Sequence, residues 1–412
     1  WLEKRYGSID RLNRAYKTNL ASFAEAPHLT VAEARKAGNL SAWLDNKLYS
    51  AHYYADCGAL ERSVIKQLDG RARVGHEASA GGDLEYTLQT LDFWGPYRNV
   101  VEDELTSSVK PNLVRAVWWG GYVRAGRNGF PTDQWEYLLT GTLNGDEWFC
   151  GYPGSSESCF AADLTPAPYV QRQHDYHAQL KRGLASLLMR TPLRKHPFAH
   201  VYSWASGQIS TIDDAFPGCD TLAYIRFCYR HGYGVTLVPA SKPGNLDGCK
   251  MLFLSGACAL SDAEVETIEK VLKGGGTIVS DSEPGVLDGF LSRRDKPPFE
   301  GRWTKLERGW TDAQMQELLD SIGVTPLEKV EGLDLKHTIL RARDTGYTGQ
   351  AAEVFGAKMT LVGFKTLADY VGRTCALDFG REGFVYETDD RYLGKLSRVD
   401  IAAIEKPFKL YS

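Results

Sequence analysis

The apolar positions of the first two hundred residues switch repeatedly between helical and strand spacing. Helical spacing runs through residues 1–16, with a break at Gly7-Ser8, and again through residues 42–68. Four short apolar runs follow, separated by helical stretches, at residues 72–75, 91–94, 113–119 and 146–149. Such alternation is typical of parallel α/β architecture, and four βα units make half of a (β/α)8 TIM barrel. We therefore predict a half barrel over residues 1–196.

A second α/β pattern begins near Pro197. Its strands are predicted at residues 200–204, 234–238, 250–255 and 277–280, and its helices near residues 217–231 and 261–273. This alternation predicts a flavodoxin-like α/β domain over residues 197–325. A helix near residues 311–322 precedes shorter alternating stretches, so a small β-rich domain is predicted over residues 326–412.

Composition narrows the class of protein without naming a function. The 412 residues are 43 % hydrophobic and 24 % charged, which is an ordinary globular mixture, and the formal net charge is −4. Neither a nucleic-acid partner nor a membrane partner is therefore expected, since there is no basic excess and no run of about 18 apolar residues. No Gly-x-Gly-x-x-Gly phrase follows a strand, so no dinucleotide cofactor is expected.

The eight cysteines are scattered singly along the chain. None of them forms a Cys-x-x-Cys pair, and we expect no metal site. Two cysteine pairs are candidates for a disulfide, Cys150–Cys159 and Cys219–Cys249. The phrase Leu-Ser-Gly-Ala-Cys, ending at Cys258, resembles the nucleophile elbow of glutamine-amidotransferase-like domains. A thiolate there would need a neighbouring His and acid, which the downstream sequence does not offer, so we expect Cys258 to be a buried structural residue.

The loops after the predicted barrel strands carry the candidate chemistry, because active sites of such barrels lie at the carboxyl ends of the strands. The candidate substrate-binding residues in these loops are His76, Trp94, Tyr97, Trp119, Tyr122, Arg124, Tyr152 and Glu157. The competing interpretation is that strand tryptophans belong to the core. Trp118 and Trp119 must lie on opposite faces of the sheet, so at most one of them lines a pocket.

Glu77 is the candidate catalytic residue. It follows an apolar strand and precedes a run of small residues, 78–82, that permits close approach of a ligand to the backbone. The alternative is a solvated loop glutamate. Asp92 is expected to form a structural ion pair. Asp146 and Glu147 are predicted to begin the last strand, on the stability side of a barrel, and are discounted as catalysts.

Three phrases resemble the β-galactosidases of glycoside hydrolase family 42. Residues 1–13, Trp-Leu-Glu-Lys-Arg-Tyr-Gly-Ser-Ile-Asp-Arg-Leu-Asn, resemble the helix after the fourth barrel strand of that family. Residues 250–262 and 274–279 resemble its trimerisation domain, and the β-rich tail fits its small C-terminal domain. The resemblance implies the C-terminal half of the barrel and a homo-oligomer, specifically a trimer. It also implies a retaining two-carboxylate glycosidase acting on a β-linked saccharide, with galactose-containing saccharides as candidates.

Two departures from the family pattern bear on function. The family places its acid/base Glu after the fourth strand, before the Arg-Tyr-Gly helix, and neither that segment nor strands one to four are in this sequence. The missing half is expected in a longer parent chain or in a partner chain. The family's nucleophile follows the seventh strand, yet residues 113–119 end in Trp-Trp-Gly-Gly. Either Glu77 has taken over this role, or the strand count is displaced, or the protein is a degenerate carbohydrate-binding or assembly protein of the same fold.

Overall fold

Helices form the opening part of the chain in the computed structural model. The model describes residues 1–77, 82–95, 100–111, 113–119, 144–147, 165, 196–239, 246, 248–326 and the strands beyond residue 328 that are given below. The opening helices are α1 (Leu2–Tyr6), α2 (Ile9–Tyr16), α3 (Val31–Ala37) and α4 (Leu40–Leu68), with a short 3-10 helix at Phe23–Glu25.

Local capping explains where these helices begin and end. Gly7 terminates α1 in the left-handed region, at φ 73°, and the Ser8 side chain accepts a hydrogen bond from the Arg11 amide at the start of α2. Thr30 and Glu33 form a reciprocal capping box at α3. The predicted break at Gly7-Ser8 and the predicted long helix are both confirmed, and α4 starts two residues earlier than expected.

The first sheet has four parallel strands in sequence order. Its elements are β1 (Gly75–Glu77), α5 (Leu84–Gln89), β2 (Phe93–Gly95), α6 (Val100–Val109), β3 (Val114–Trp119) and β4 (Asn144–Glu147). Parallel pairing follows the strand–helix alternation predicted from the sequence. The short strands are displaced from their predicted positions, since β1 begins three residues later and β4 two residues earlier than expected.

The second sheet has five parallel strands in the order β6-β5-β7-β9-β11. The elements of this region are β5 (Phe198–Tyr202), α7 (Trp204–Ile209), α8 (Thr221–His231), β6 (Leu237–Pro239), β7 (Met251–Phe253), β8 (Ala259–Leu260), α9 (Asp262–Lys273), β9 (Thr277–Ser280), β10 (Leu287–Asp288), β11 (Thr304–Lys305) and α10 (Asp312–Ser321). Counted along the chain, this is the 2-1-3-4-5 order of flavodoxin-like sheets.

The two parallel sheets share one packed interior. Trp94 of β2 and Leu105 of α6 lie in the same buried apolar cluster as Phe198 of β5 and Phe227 of α8. The Tyr229 hydroxyl donates a hydrogen bond to the Glu104 carboxylate across this junction. The second sheet therefore packs on the helical layer of the first.

The remaining strands are antiparallel. They are β12 (Lys329–Glu331), β13 (Thr338–Ala342), β14 (Thr360–Phe364), β15 (Thr374–Phe379), β16 (Glu382–Thr388), β17 (Gly394–Asp400) and β18 (Lys409–Tyr411). Strands β13 to β17 form one sheet in sequence order, and β12 pairs with β18. The described part of this region is β-rich, as the sequence predicts.

Candidate active site

The carboxyl ends of β1 to β4 meet at one edge of the first sheet, because all four strands run parallel. The register fixes which residues share a face: His76 is opposite Trp94, and Trp94 is opposite Arg115. Successive residues of a strand belong to opposite faces. The side chains of one row therefore show which face of the sheet the helices cover.

Helices cover the face that carries His76, Trp94 and Arg115. The His76 ring lies 5.2 Å from the Tyr54 ring of α4, and a Cβ atom added at Gly58 of the same helix would lie 2.3 Å from His76 Nε2. Trp94 is 1 % exposed in the apolar cluster that contains leucines of α5 and α6. Arg115 Nη1 donates a 2.9 Å hydrogen bond to the Asp103 carbonyl of α6.

This arrangement corrects two predicted substrate-binding residues. His76 and Trp94 pack in the helix–sheet interface. The side chain of Trp119 lies outside those that the structure describes.

The position of Glu77 belongs to the face of the sheet opposite that of His76, because successive strand residues alternate between the faces. It is the last residue of β1, and its register partner is Gly95. The described positions of this face are Gly75, Glu77, Phe93, Gly95, Val114, Ala116, Trp118, Asn144 and Asp146. Among them, Glu77 and Asp146 carry carboxyl groups.

Asp146 was discounted because the last strand was expected to begin with it. The structure corrects this, because β4 begins at Asn144 and ends at Glu147, so Asp146 is the third of its four residues. Its register partner is Trp118. Sequence reasoning missed the position because a strand of four polar and glycine residues has no alternation from which to read its start.

Asp92 forms the structural ion pair that the sequence predicts. Arg62 Nη2 lies 2.7 Å from its carboxylate and Lys66 Nζ lies 3.1 Å from it, while the Val74 amide donates to it at 3.2 Å. The hydrogen bond from Arg62 is the main reason that the pKa of Asp92 lies well below its usual range. The ion pairs of the Asp92 carboxylate therefore hold α4 against the first sheet.

The cysteine predictions are settled in part. Cys258 is buried, and burial raises the pKa of its thiol to about 11, which confirms the unreactive interpretation. Cys219 and Cys249 are free thiols, so a disulfide between them is wrong. The other candidate pair and five predicted site residues lie outside the described residues: Cys150, Cys159, Tyr97, Tyr122, Arg124, Tyr152 and Glu157.

Two further features describe the surroundings of the site. Within the described ranges, no three His, Cys, Asp or Glu side chains are grouped as a metal site would require, and no helix has the length and apolarity needed to cross a bilayer.

One side of α4 exposes large apolar residues. This apolar stripe consists of Tyr49, Tyr53, Leu60, Val64 and Leu68, of which Leu60 is 66 % and Leu68 is 85 % exposed.

Comparison with known proteins gives the class of fold. No protein-family model and no curated protein matches the sequence. The structure is similar to β-galactosidase from the psychrophilic Marinomonas ef1, with TM-score 0.66 and 14 % identity over 93 % of this chain and 73 % of that chain. It is similar to β-galactosidase from Bacillus circulans sp. alkalophilus, with TM-score 0.66 and 11 % identity over 97 % and 74 %.

A third similar structure is a carrageenase. It is the GH42 exo-carrageenase from Bacteroides ovatus, with TM-score 0.59 and 14 % identity over 100 % of this chain and 61 % of that chain. The chain therefore has the fold of the glycoside hydrolase family 42 β-galactosidases, as the phrases in residues 1–13 and 250–279 imply. At these identities the likeness concerns the fold, and the activity has to be argued from the site.

Proposed function

We propose that the protein is a glycoside hydrolase that cleaves a β-linked saccharide at the carboxyl-end edge of its first sheet. Glu77 is one of the two carboxyl groups of the reaction. The observation that carries the proposal is the register of β1, in which Glu77 is the last residue, on the face opposite the row of His76 and Trp94. The likeness to β-galactosidases and an exo-carrageenase supports the same class of substrate.

The register partner of Glu77 suits a catalytic carboxylate. Gly95 has no side chain, so the paired position of the neighbouring strand places no side chain beside Glu77. Glu77 is then suited to act as the nucleophile of a retaining enzyme, or as the base of an inverting one.

The rest of the barrel is proposed to come from a longer parent chain or from a partner chain. Four parallel strands with β1 and β4 at the edges are half of the eight that close a barrel. The helix α4 lies beside the β1 edge, and its apolar stripe is where the helices of a further βα layer would pack. By the same resemblance, the assembled protein is proposed to be a homo-oligomer, specifically a trimer.

The proposal is tested by hydrolysis of aryl β-glycosides, including the β-galactoside. Glu77→Gln keeps the size of the side chain and removes its charge, and we expect kcat/KM to fall by about 10³-fold or more. The matched control is Glu61→Gln, which changes an exposed glutamate on α4. Unchanged activity in Glu77→Gln would remove Glu77 from the mechanism.

A second function is favoured by one observation. Strand β3 ends in Trp118-Trp119 and carries no carboxyl group at the position where family 42 resemblance implies the nucleophile. A catalytically degenerate carbohydrate-binding or assembly protein would show this pattern. Under that alternative, the wild-type protein hydrolyses no aryl glycoside, yet binds saccharides in isothermal titration calorimetry.

A further inference from the structure

We propose that a cavity in the opening helical layer is a second saccharide-binding site, separate from the edge of the first sheet. The cavity is formed by α1, α2, the 3-10 helix and α4, and every residue that lines it precedes β1. Its volume is ≈ 430 Å³, which falls within the range of about 300–1,000 Å³ that small-molecule sites occupy. The inference goes beyond the proposed catalytic function and does not depend on it.

Aromatic rings make up much of the cavity wall. Trp1, Tyr16, Phe23 and Tyr49 all line it. The Trp1 and Tyr49 rings meet edge to face, with their centroids 5.8 Å apart and their planes at 72°, and the two residues are 36 % and 47 % exposed. A sugar ring presents C–H bonds on its faces, and these stack on exposed aromatic rings, which lose little conformational freedom on binding. Tyr49 is also the first residue of the apolar stripe, so the cavity lies where that stripe begins.

The inner wall of the cavity is held rigidly by a buried carboxylate. Asp45 Oδ2 accepts hydrogen bonds from the Tyr6 hydroxyl at 2.7 Å and from the Tyr16 hydroxyl at 2.9 Å. Arg5 Nε donates to Asp45 Oδ1 at 2.8 Å. Both carboxylate oxygens are therefore used within the protein, and they fix the Tyr16 ring in place. A wall that is ordered before a ligand arrives lowers the entropic cost of binding.

A second chain of hydrogen bonds fixes the outer wall. Trp1 Nε1 lies 3.3 Å from His52 Nδ1, and His52 Nε2 lies 3.2 Å from Asp83 Oδ2. Because an indole N–H can only donate, His52 Nδ1 accepts, and the proton on Nε2 is donated to Asp83. Asp83 in turn caps α5 by accepting from the Tyr86 amide. The Trp1 ring is thus oriented by contacts that end on a neighbouring helix.

The cavity also offers an acceptor and a donor for sugar hydroxyls. Glu3 lines it and is exposed, so its carboxylate can accept hydrogen bonds. Asn46 lines it as well, and its buried amide Nδ2 has no hydrogen-bond partner among the residues that the structure describes. A buried donor is costly to leave unpaired, and a ligand oxygen would satisfy it. Hydroxyl groups both donate and accept, which suits this pair of side chains.

The charges around the cavity favour a neutral ligand over an ammonium ion. A cage of aromatic rings with carboxylates is the pattern that also binds organic cations. Here the Arg5 guanidinium already lies over the Trp1 ring, 5.6 Å from its centroid, and is paired with Asp45. The protein's own cation therefore takes the cation–π position on Trp1 and neutralises the buried carboxylate. A neutral sugar unit is the class of ligand that the remaining groups fit.

The test is isothermal titration calorimetry of the full-length protein with thiodigalactoside and thiocellobiose, whose sulfur linkages resist hydrolysis. Ala24→Trp fills the cavity from an exposed position in its wall, so we expect the affinity of this site to fall by at least about tenfold. We expect kcat/KM on aryl β-galactosides to stay within about twofold of wild type, because the first sheet is untouched. The matched control is Ala21→Trp, an exposed alanine of the same loop that does not line the cavity, which should behave as wild type.

Several results would overturn the proposal. Wild-type protein that binds neither disaccharide, or Ala24→Trp that binds as wild type does, rejects the site and leaves the catalytic function to the hydrolysis assay. Equal losses of binding and hydrolysis in Ala24→Trp show that the cavity is part of the catalytic site. Binding of tetramethylammonium in place of the disaccharides rejects the class of ligand.

A second variant decides the matter should Ala24→Trp not fold. Glu3→Ala removes the exposed acceptor of the cavity, and binding weakened by at least about threefold supports the site. Its control is Glu61→Ala, at an exposed position of α4 that does not line the cavity. Binding by Glu3→Ala that equals that of this control rejects the site.

Discussion

Asp92 shows how this protein treats a carboxylate whose role is structural. Two cations and a backbone amide converge on it, and the helix that supplies the cations is the one that covers β1. Glu77, only fifteen positions earlier in the chain, has a glycine as its register partner. The two residues are of similar chemistry, and Asp92 is the one that α4 holds by ion pairs.

The first prediction concerns the contribution of Asp92 to stability. Its pKa is lower in the folded protein than the ordinary value of 3.8, so its contribution is fully present above that value and is lost as the pH falls through the folded pKa. Asp92→Asn should lower the free energy of unfolding by about 1–3 kcal/mol at neutral pH, because Arg62 and Lys66 lose their anion.

The measurement is urea denaturation at neutral pH and again near pH 2, with Glu61→Gln as the control at an exposed site. The difference between Asp92→Asn and wild type should shrink in acid, because the carboxylate of the unfolded chain is protonated there and folding has to release that proton. A difference of the same size at both pH values would show that charge is not the reason.

At the scale of elements, the contact of α4 with β1 fixes which face of the sheet is free. The long helix was predictable because 29 residues carry a sustained pattern and its start is capped by Asn39. The three-residue strands β1 and β2 were predictable as elements but not in position, since so few residues give no unique alternation. A shift of one residue moves every side chain to the other face, so the predicted strand bounds could not place His76 and Trp94 against the helices.

The second prediction tests that contact by a pair of substitutions. Gly58→Ala places a methyl group where His76 Nε2 lies 2.3 Å from the added Cβ atom, so we expect a loss of about 1–3 kcal/mol. In a His76→Ala background the same substitution should be neutral or stabilising by up to about 1 kcal/mol, because alanine favours the helix.

Thermal or urea denaturation of the four proteins in this cycle gives the coupling between the two sites. Equal effects of Gly58→Ala in both backgrounds would mean that His76 does not face α4. The placement of Glu77 on the face opposite His76 would then fail with it.

At the scale of the whole molecule, distant segments hold the outer helices in place. Arg5 Nη2 donates a 3.1 Å hydrogen bond to the Gly289 carbonyl, and Ser41 donates to the Phe290 carbonyl at 2.5 Å. Asp45 accepts hydrogen bonds from Arg5, Tyr6 and Tyr16, which ties α1 and α2 to α4. The second α/β region thus braces the helical layer that covers the first sheet.

Such contacts mark the limit of reasoning from the sequence. The alternation of strands and helices, the two parallel sheets and the β-rich tail could be predicted because each leaves a local pattern. The Arg5–Gly289 hydrogen bond joins residues 284 positions apart, and no local sequence pattern predicts it. The same holds for the pairing of Asp146 with Trp118, which depends on how two strands are aligned.

The central claim is that Glu77 is a reacting carboxylate of a glycosidase, and covalent labelling tests it most directly. A cyclitol epoxide that mimics a β-galactoside ring esterifies the nucleophilic carboxylate of a retaining glycosidase. Peptide mass spectrometry of the labelled wild-type protein should find the ester on Glu77, with loss of activity in step with labelling and protection by galactose. An ester on a different carboxylate, with Glu77 unmodified and activity lost, would contradict the account.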